Sequence, residues 1–141
     1  MTSEFVIAVH AMVLLAHRAS RQTSAQLAAN ICTNPVRVRR VMAKLVHGGL
    51  ATAADGTKGG YGLARPPGTI TVDQVARATA TAYVGTDWRS GDHDMACVVA
   101  SGMGGVVDGL IGRMNQACST EMEKTTIADI ERQLVQRRKI K

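Results

Sequence analysis

The sequence predicts a mostly α-helical chain, α+β only through one short hairpin, and three observations carry that expectation. Residues 23–49 place two short amphipathic segments on either side of a tight turn. Residues 50–65 hold two β-type runs around Asp55-Gly56-Thr57-Lys58-Gly59-Gly60, and Asp-Gly and Gly-Gly are hairpin signals. Third, 45% of the chain is hydrophobic but only 3% aromatic. Such a core is built from Ala, Val, Leu, Ile and Met, which suits helices that bury surface against a second chain. A length of 141 residues allows one domain, or one domain with an oligomerisation extension.

Charge placement says more than the net value of +6. Residues 1–65 carry eight Lys/Arg against Glu4 and Asp55, whereas 66–124 carry four against seven acids. The N-terminal half is therefore the candidate polyanion surface.

Residues 4–18 are apolar nearly all round, the pattern of a helix buried on more than one side. His10 within it is expected to be a packed, hydrogen-bonded core histidine. Glu4 and His10 interrupt the run, no basic segment precedes it, and it is too short for a membrane span. Three cysteines without regular spacing, Cys32, Cys97 and Cys118, agree with a reducing compartment. A cytoplasmic protein is expected.

Thr23 and Gln26 form a capping-box pattern opening a helix over 24–31 that buries Leu27, Ala28 and Ile31. Cys32 at its end is expected to be a small buried hydrophobe. Asn34 is a good N-cap and Pro35 suits the first position of the next helix. In that helix Val38, Val41, Met42 and Leu45 recur at i, i+3, i+4, i+7 and share one buried face. Val36, Arg40, Ala43 and His47 lie opposite, flanked by Arg37, Arg39 and Lys44, at about 100° per residue. Gly48-Gly49 stops the helix. Two short helices with a tight turn, the second basic, make a helix-turn-helix. The hairpin of strands 50–54 and 61–65 directly after it, with Lys58 at its tip, completes a winged helix.

Thr71 and Gln74 cap a helix over 72–82. The segment 85–104 then turns polar, flexible and acidic, with Trp88 as the residue that would pin it. A helix is expected from about Met95 to Lys124, broken around Gly102–Gly105, with a stripe through Val106, Val107, Leu110, Ile111, Met114, Ala117, Cys118 and Met122. Gly105, Gly109 and Gly112 offer close-approach positions, and the stripe is expected to pair with its twin. Thr126 and Asp129 cap a last helix, 127–138, and the basic end 137–141 is expected to fray. The division is thus 1–84 winged helix, 85–104 linker, and 105–141 dimerisation helices. Candidate dimer-interface residues are Val106, Leu110, Ile111, Met114, Cys118, Ile130 and Leu134.

With these motifs, the chain resembles the bacterial winged-helix regulators typified by IscR, NsrR and CymR, the Rrf-two family. The residues carrying the resemblance are FVIAVHAMVLLA, TSAQLAANICTNPVRVRRVMAKLVHGGL, GTKGGYGLARPPGTITVDQV and TTIADI, and the most specific is the string Gly56–Pro66. The resemblance implies a homodimeric, sequence-specific DNA-binding transcriptional regulator, a repressor in the main reading, on a palindromic operator. It implies base contacts from Val36, Arg37, Arg39 and Arg40, with Lys44 and Tyr61 in the same interface. It also implies minor-groove contacts from Thr57, Lys58 and Gly59, and a phosphate contact at Ser24. Cluster-binding members carry three closely spaced cysteines in the segment matching 85–104. Here only Cys97 lies there, and Cys118 follows 21 residues later. A cluster usually needs four ligands, mostly thiolates, so no iron–sulfur cluster and no other cofactor is expected. Asp92–Cys97 is a weak metal pattern, better read as a solvated acidic loop. Cys97 is the candidate sensor, although the neighbouring acids are expected to raise its pKa and slow it. The alternative is a thiol- or small-molecule-responsive scaffold whose winged helix binds a protein partner. No catalytic constellation is present in the sequence, so an enzyme is not expected.

Overall fold

A computed structural model describes residues 1–140, with side chains through Arg138. Helix α1 (Ser3–Arg18) starts where the Thr2 hydroxyl accepts from the Phe5 N–H. It buries Phe5, Ile7, Ala8, Ala11, Met12, Val13, Leu14 and Leu15, so other elements surround it on most sides. His10 corrects its expectation. It lies opposite Ala8, Ala11 and Leu15 on the wheel, on the arc left open, and its Nε2 is 2.7 Å from Asn30 Oδ1 on helix α2 (Ser24–Ile31).

The capping box of α2 is reciprocal, with Gln26 N–H donating to Thr23 Oγ1 at 3.1 Å and Thr23 N–H to Gln26 Oε1 at 2.8 Å. Its C-cap, Cys32, adopts a left-handed φ of 65° and is exposed. The turn that ends the helix swings this side chain off the buried face, so Cys32 is not a core residue. In α3 (Pro35–His47), Asn34 Oδ1 accepts from the Arg37 N–H at 2.9 Å, and Val38, Val41, Met42 and Leu45 are all buried, as the spacing predicts. Each such side chain contributes about 1.5–3 kcal/mol. That burial fixes which face α3 turns outward.

Strands β1 (Ala51–Ala54) and β2 (Gly60–Leu63) pair antiparallel, from Ala51 opposite Leu63 to Ala54 opposite Gly60. A 3-10 turn (Pro67–Thr69) leads to α4 (Val72–Ala78), with Thr71 and Gln74 as its capping box. This helix is shorter than the expected 72–82 because Ala80 turns left-handed, φ 51°.

Helix α5 (Val98–Met122) runs without interruption. The expected break at 102–105 is absent, and the irregular segment ends at Cys97 rather than at 104. Arg89 packs over this stretch from outside the helix. Its guanidinium lies across Gly104, with Nε 2.6 Å from where a Cβ would stand, and pairs with Asp108 at 2.6 Å. Trp88, expected to pin this segment, is 74% exposed and does not. Farther along α5 the Asn115 amide clamps Val84, accepting from its N–H at 3.0 Å and donating to its carbonyl at 2.8 Å.

Thr126 and Asp129 cap α6 (Ile127–Ile140) reciprocally. Val72 N–H bonds the Thr125 carbonyl and Ile127 N–H bonds the Ile70 carbonyl, each at 2.9 Å. These bonds lay α6 along α1, and Ile127 is fully buried in the same core as α1 and α3. The helix continues to Ile140, two residues past the expected 138, and Lys141 lies outside the described residues. No described helix is long and apolar enough to cross a membrane.

Candidate nucleic-acid interface

Burying the Val38–Leu45 stripe leaves Val36, Arg37, Arg39, Arg40, Ala43 and His47 exposed on α3. Two of the arginines are held in place. Arg37 Nη2 donates to Ser3 Oγ at 2.6 Å, and Arg39 Nη1 donates to Ser24 Oγ at 3.3 Å. Ser24 is the first residue of α2, so the start of that helix and the arginine face of α3 meet.

Lys44 departs from the expected outer row. It is half-buried, and its Nζ bonds Glu4 Oε2 at 2.5 Å. Position 44 sits where α3 faces α1, and the only acid of the first turn of α1 captures it. The hydrogen bond from Lys44 is the main reason the Glu4 carboxyl lies below the usual carboxylate range; partial burial opposes it, and the charges of Arg40 and Arg37 add to it.

The wing is shaped by glycine. At Gly59 a Cβ would stand 2.4 Å from the Ala54 carbonyl oxygen, so only glycine closes the loop there. Thr57 and Lys58 are exposed at the tip. Tyr61 differs from expectation. Its side chain is half-buried against the core, because strand alternation sends it inward while Gly60 and Gly62 face out. Its backbone pairs with Gln22 in both directions, Gln22 N–H to Tyr61 O at 3.0 Å and Tyr61 N–H to Gln22 O at 2.8 Å. Tyr61 is therefore a wing anchor. Gln22, buried in the α1–α2 turn, acts as a short third strand, and nothing in its own residue type marked it.

Cys97 is exposed at the N-cap of α5. The backbone N–H of Ala100, then that of Val99, holds its thiol below the ordinary cysteine value, opposite to the shift expected from the nearby acids. A helix N-terminus favours the thiolate directly. Alkylation of Cys97 by iodoacetamide, followed by mass spectrometry, should reach half its maximal rate at a pH below that of a small free thiol. A midpoint at or above that of the free thiol would show that the helix start does not act on the sulfur.

The thiols do not converge. Cys97 and Cys118 are separated by 21 residues of continuous helix, about 30 Å at the α-helical rise. No single cluster within the chain takes both, and Cys32 belongs to the end of α2. The donor set therefore does not fit an iron–sulfur cluster held by several thiolates. Asp92, His93 and Asp94 bring ligand atoms within 4.8 Å of one another, but all three are exposed.

Along α5, Val106 is 59%, Leu110 43% and Met114 47% exposed, continuing a stripe from Val99 and Met103. Gly102, Gly105, Gly109 and Gly112 face open space. The other candidate interface residues differ: Ile111, Cys118 and Ile130 are half-buried within the chain, while Leu134 is exposed. Between α1, α5 and α6 lies an apolar groove of about 1130 Å³, lined by Phe5, Val9, Val13, Tyr83, Met122 and Leu134 among others.

The Rrf2 family model, described as iron-dependent transcriptional regulator, matches residues 1–133. No curated protein sequence matches the chain. Among solved structures the chain is similar to a Lactobacillus plantarum protein, at 24% identity over 95% of this chain and 91% of that one, TM-score 0.78. It is also similar to T. potens IscR, at 19% identity over 95% and 87%, TM-score 0.69. A third is CymR, the global cysteine regulator of B. subtilis, at 18% identity over 93% and 95%, TM-score 0.68. At these identities the solved structures bear on the fold, a six-helix winged helix with a two-stranded wing. The match over residues 1–133 settles the family: the chain belongs to the Rrf2 family of DNA-binding transcriptional regulators.

Proposed function

We propose that the protein is a homodimeric repressor, working in the cytoplasm, that reads a palindromic operator through α3 and the wing without an iron–sulfur cluster. The observation that carries this reading is the hydrogen-bonded link between the arginine face of α3, the start of α2 and the wing. Arg39 Nη1 reaches Ser24 Oγ at 3.3 Å, and two residues before Ser24 the Gln22 backbone pairs with Tyr61 of the wing. Recognition helix, start of α2 and wing thus form one rigid unit. In it Arg37, Arg39 and Arg40 supply donors matched to guanine edges, and Val36 suits a thymine methyl. Thr57, Lys58 and Gly59 reach the adjacent minor groove. The exposed stripe of α5 and the groove beside α1 supply the second-copy interface. Two-fold symmetry then sets half-sites one helical turn, or a multiple of it, apart.

Selection from a random-sequence duplex pool tests this reading. Enrichment of a two-fold-symmetric motif is the expected result. On the selected duplex, Arg40→Ala should cost about 1–3 kcal/mol in affinity while leaving thermal unfolding unchanged. If no duplex is enriched and binding shows no salt dependence, the winged helix serves a protein partner instead.

A further inference from the structure

One cation outside the recognition helix and wing tip is placed by the fold with unusual definition: Arg21, in the turn between α1 and α2. Gly60 and Gly62 share the outer face of β2, and Arg21 lies over that face. Its Nη1 donates to the Gly60 carbonyl at 3.0 Å. Its Cγ and Nη1 stand 3.6 and 3.8 Å from the position a Gly62 Cβ would take. A Cβ at Gly62 would touch the Arg21 side chain at ordinary van der Waals distance, whereas one at Gly60 would meet the Gln22 and Thr23 backbone. The turn comes so close because Gly60, at φ +111°, leaves only 2.6 Å between its Cβ position and the Gln22 carbonyl oxygen.

A guanidinium carries five N–H donors in a fixed fork, and the bond to Gly60 fixes the direction of that fork while using one of them. Arg21 is exposed, and the one hydrogen bond of its side chain among the described residues is to a carbonyl rather than a carboxylate, so its charge stays uncompensated. Arg21 also lies three residues before Ser24, which Arg39 of α3 bonds, and its own side chain rests on β2 of the wing. When a helix occupies one groove and a wing the next, a ridge of phosphates must pass between them.

We infer that Arg21 is a further DNA-contacting residue, which binds a backbone phosphate on that ridge and is aimed there by the Gly60 carbonyl. The inference rests on the DNA-binding reading above. It predicts a contact that is blind to sequence, since phosphates position the protein and bases specify the site.

The test uses the full chain on the selected duplex and on an unrelated one, with affinity followed across salt concentrations. Arg21→Ala should weaken both duplexes by a similar factor and lower the slope of log affinity against log salt by about two, one phosphate contact being lost from each protomer of the dimer. Arg21→Lys should retain the slope, and Lys124→Ala, just past the end of α5 where the side chain is exposed and pairs with Glu121, serves as a remote charge control with no change. An unchanged slope in Arg21→Ala, even with weaker binding, would overturn the proposal and leave Arg21 as a brace for the wing. If the unsubstituted protein shows no salt-dependent duplex binding, the DNA reading itself falls and this contact falls with it. Matching thermal melts for all variants exclude unfolding as the cause.

Discussion

Leu110→Asp is expected to yield a monomer and to weaken binding to the selected duplex by about 10²–10⁴-fold. The effect is large because joining two half-site binders makes the second contact intramolecular. Leu110 lies at the middle of an exposed stripe through Val99, Met103, Val106, Leu110 and Met114, spaced four, three, four and four residues apart. That spacing keeps one edge of a helix against a partner. Buried there, an unpaired carboxylate would cost several kcal/mol. The glycines on α5 argue the same way. Gly102, Gly105, Gly109 and Gly112 touch nothing within 4 Å, yet glycine inside a helix costs about 1 kcal/mol relative to alanine. Such a run of glycines makes sense where another backbone approaches closely. Because Leu110 is exposed in the isolated chain, the thermal melt of the variant should report the loss of association alone. Light scattering and fluorescence anisotropy check the two halves of the expectation. A variant that stays dimeric with full operator affinity would move the interface off α5.

What the sequence made legible was local. The caps at Thr23, Asn34, Thr71 and Thr126 are each a side chain bonding the backbone N–H three residues on, and the α3 stripe is a period read directly from residue order. The hairpin followed from glycines whose conformations few other residues adopt. What stayed hidden depends on distant partners. Lys44 looked like a surface cation until Glu4, 40 residues away, bonded it. Glycine content argues for a break in α5, yet the helix is continuous and Arg89, from outside it, packs over Gly104. The acids near Cys97 in sequence predict a raised pKa, whereas the N–H groups of the helix it opens hold the thiol below its ordinary value. Gln22 and Arg21 belong to a turn, and their pairing with the wing is a matter of topology, not of residue type.

The wing anchorage gives the second large effect. Gly60→Ala is expected to destabilise the protein by about 2–5 kcal/mol, lowering its melting temperature by on the order of 10 °C. Two costs combine. A φ of +111° is reserved for glycine, and forcing an L-residue there costs about 1–3 kcal/mol. The added Cβ also meets backbone atoms only, Gln22 O at 2.6 Å, Gln22 C at 2.8 Å and Thr23 N at 3.1 Å. No side chain can swing aside, so the Gln22–Tyr61 bridge must open, and each of its two hydrogen bonds is worth about 1 kcal/mol. Gly56→Ala separates the two costs. Gly56 has a similar φ of +92° but nothing within 4 Å of its Cβ position, so it bears the backbone strain without the collision. A calorimetric melt of both variants should therefore place Gly60→Ala well below Gly56→Ala. Because the bridge ties the wing to the start of α2, Gly60→Ala should also weaken duplex binding more than Gly56→Ala does. Equal melts would mean that the turn yields freely, and that the wing is held to the winged helix by β1 and the burial of Tyr61 alone.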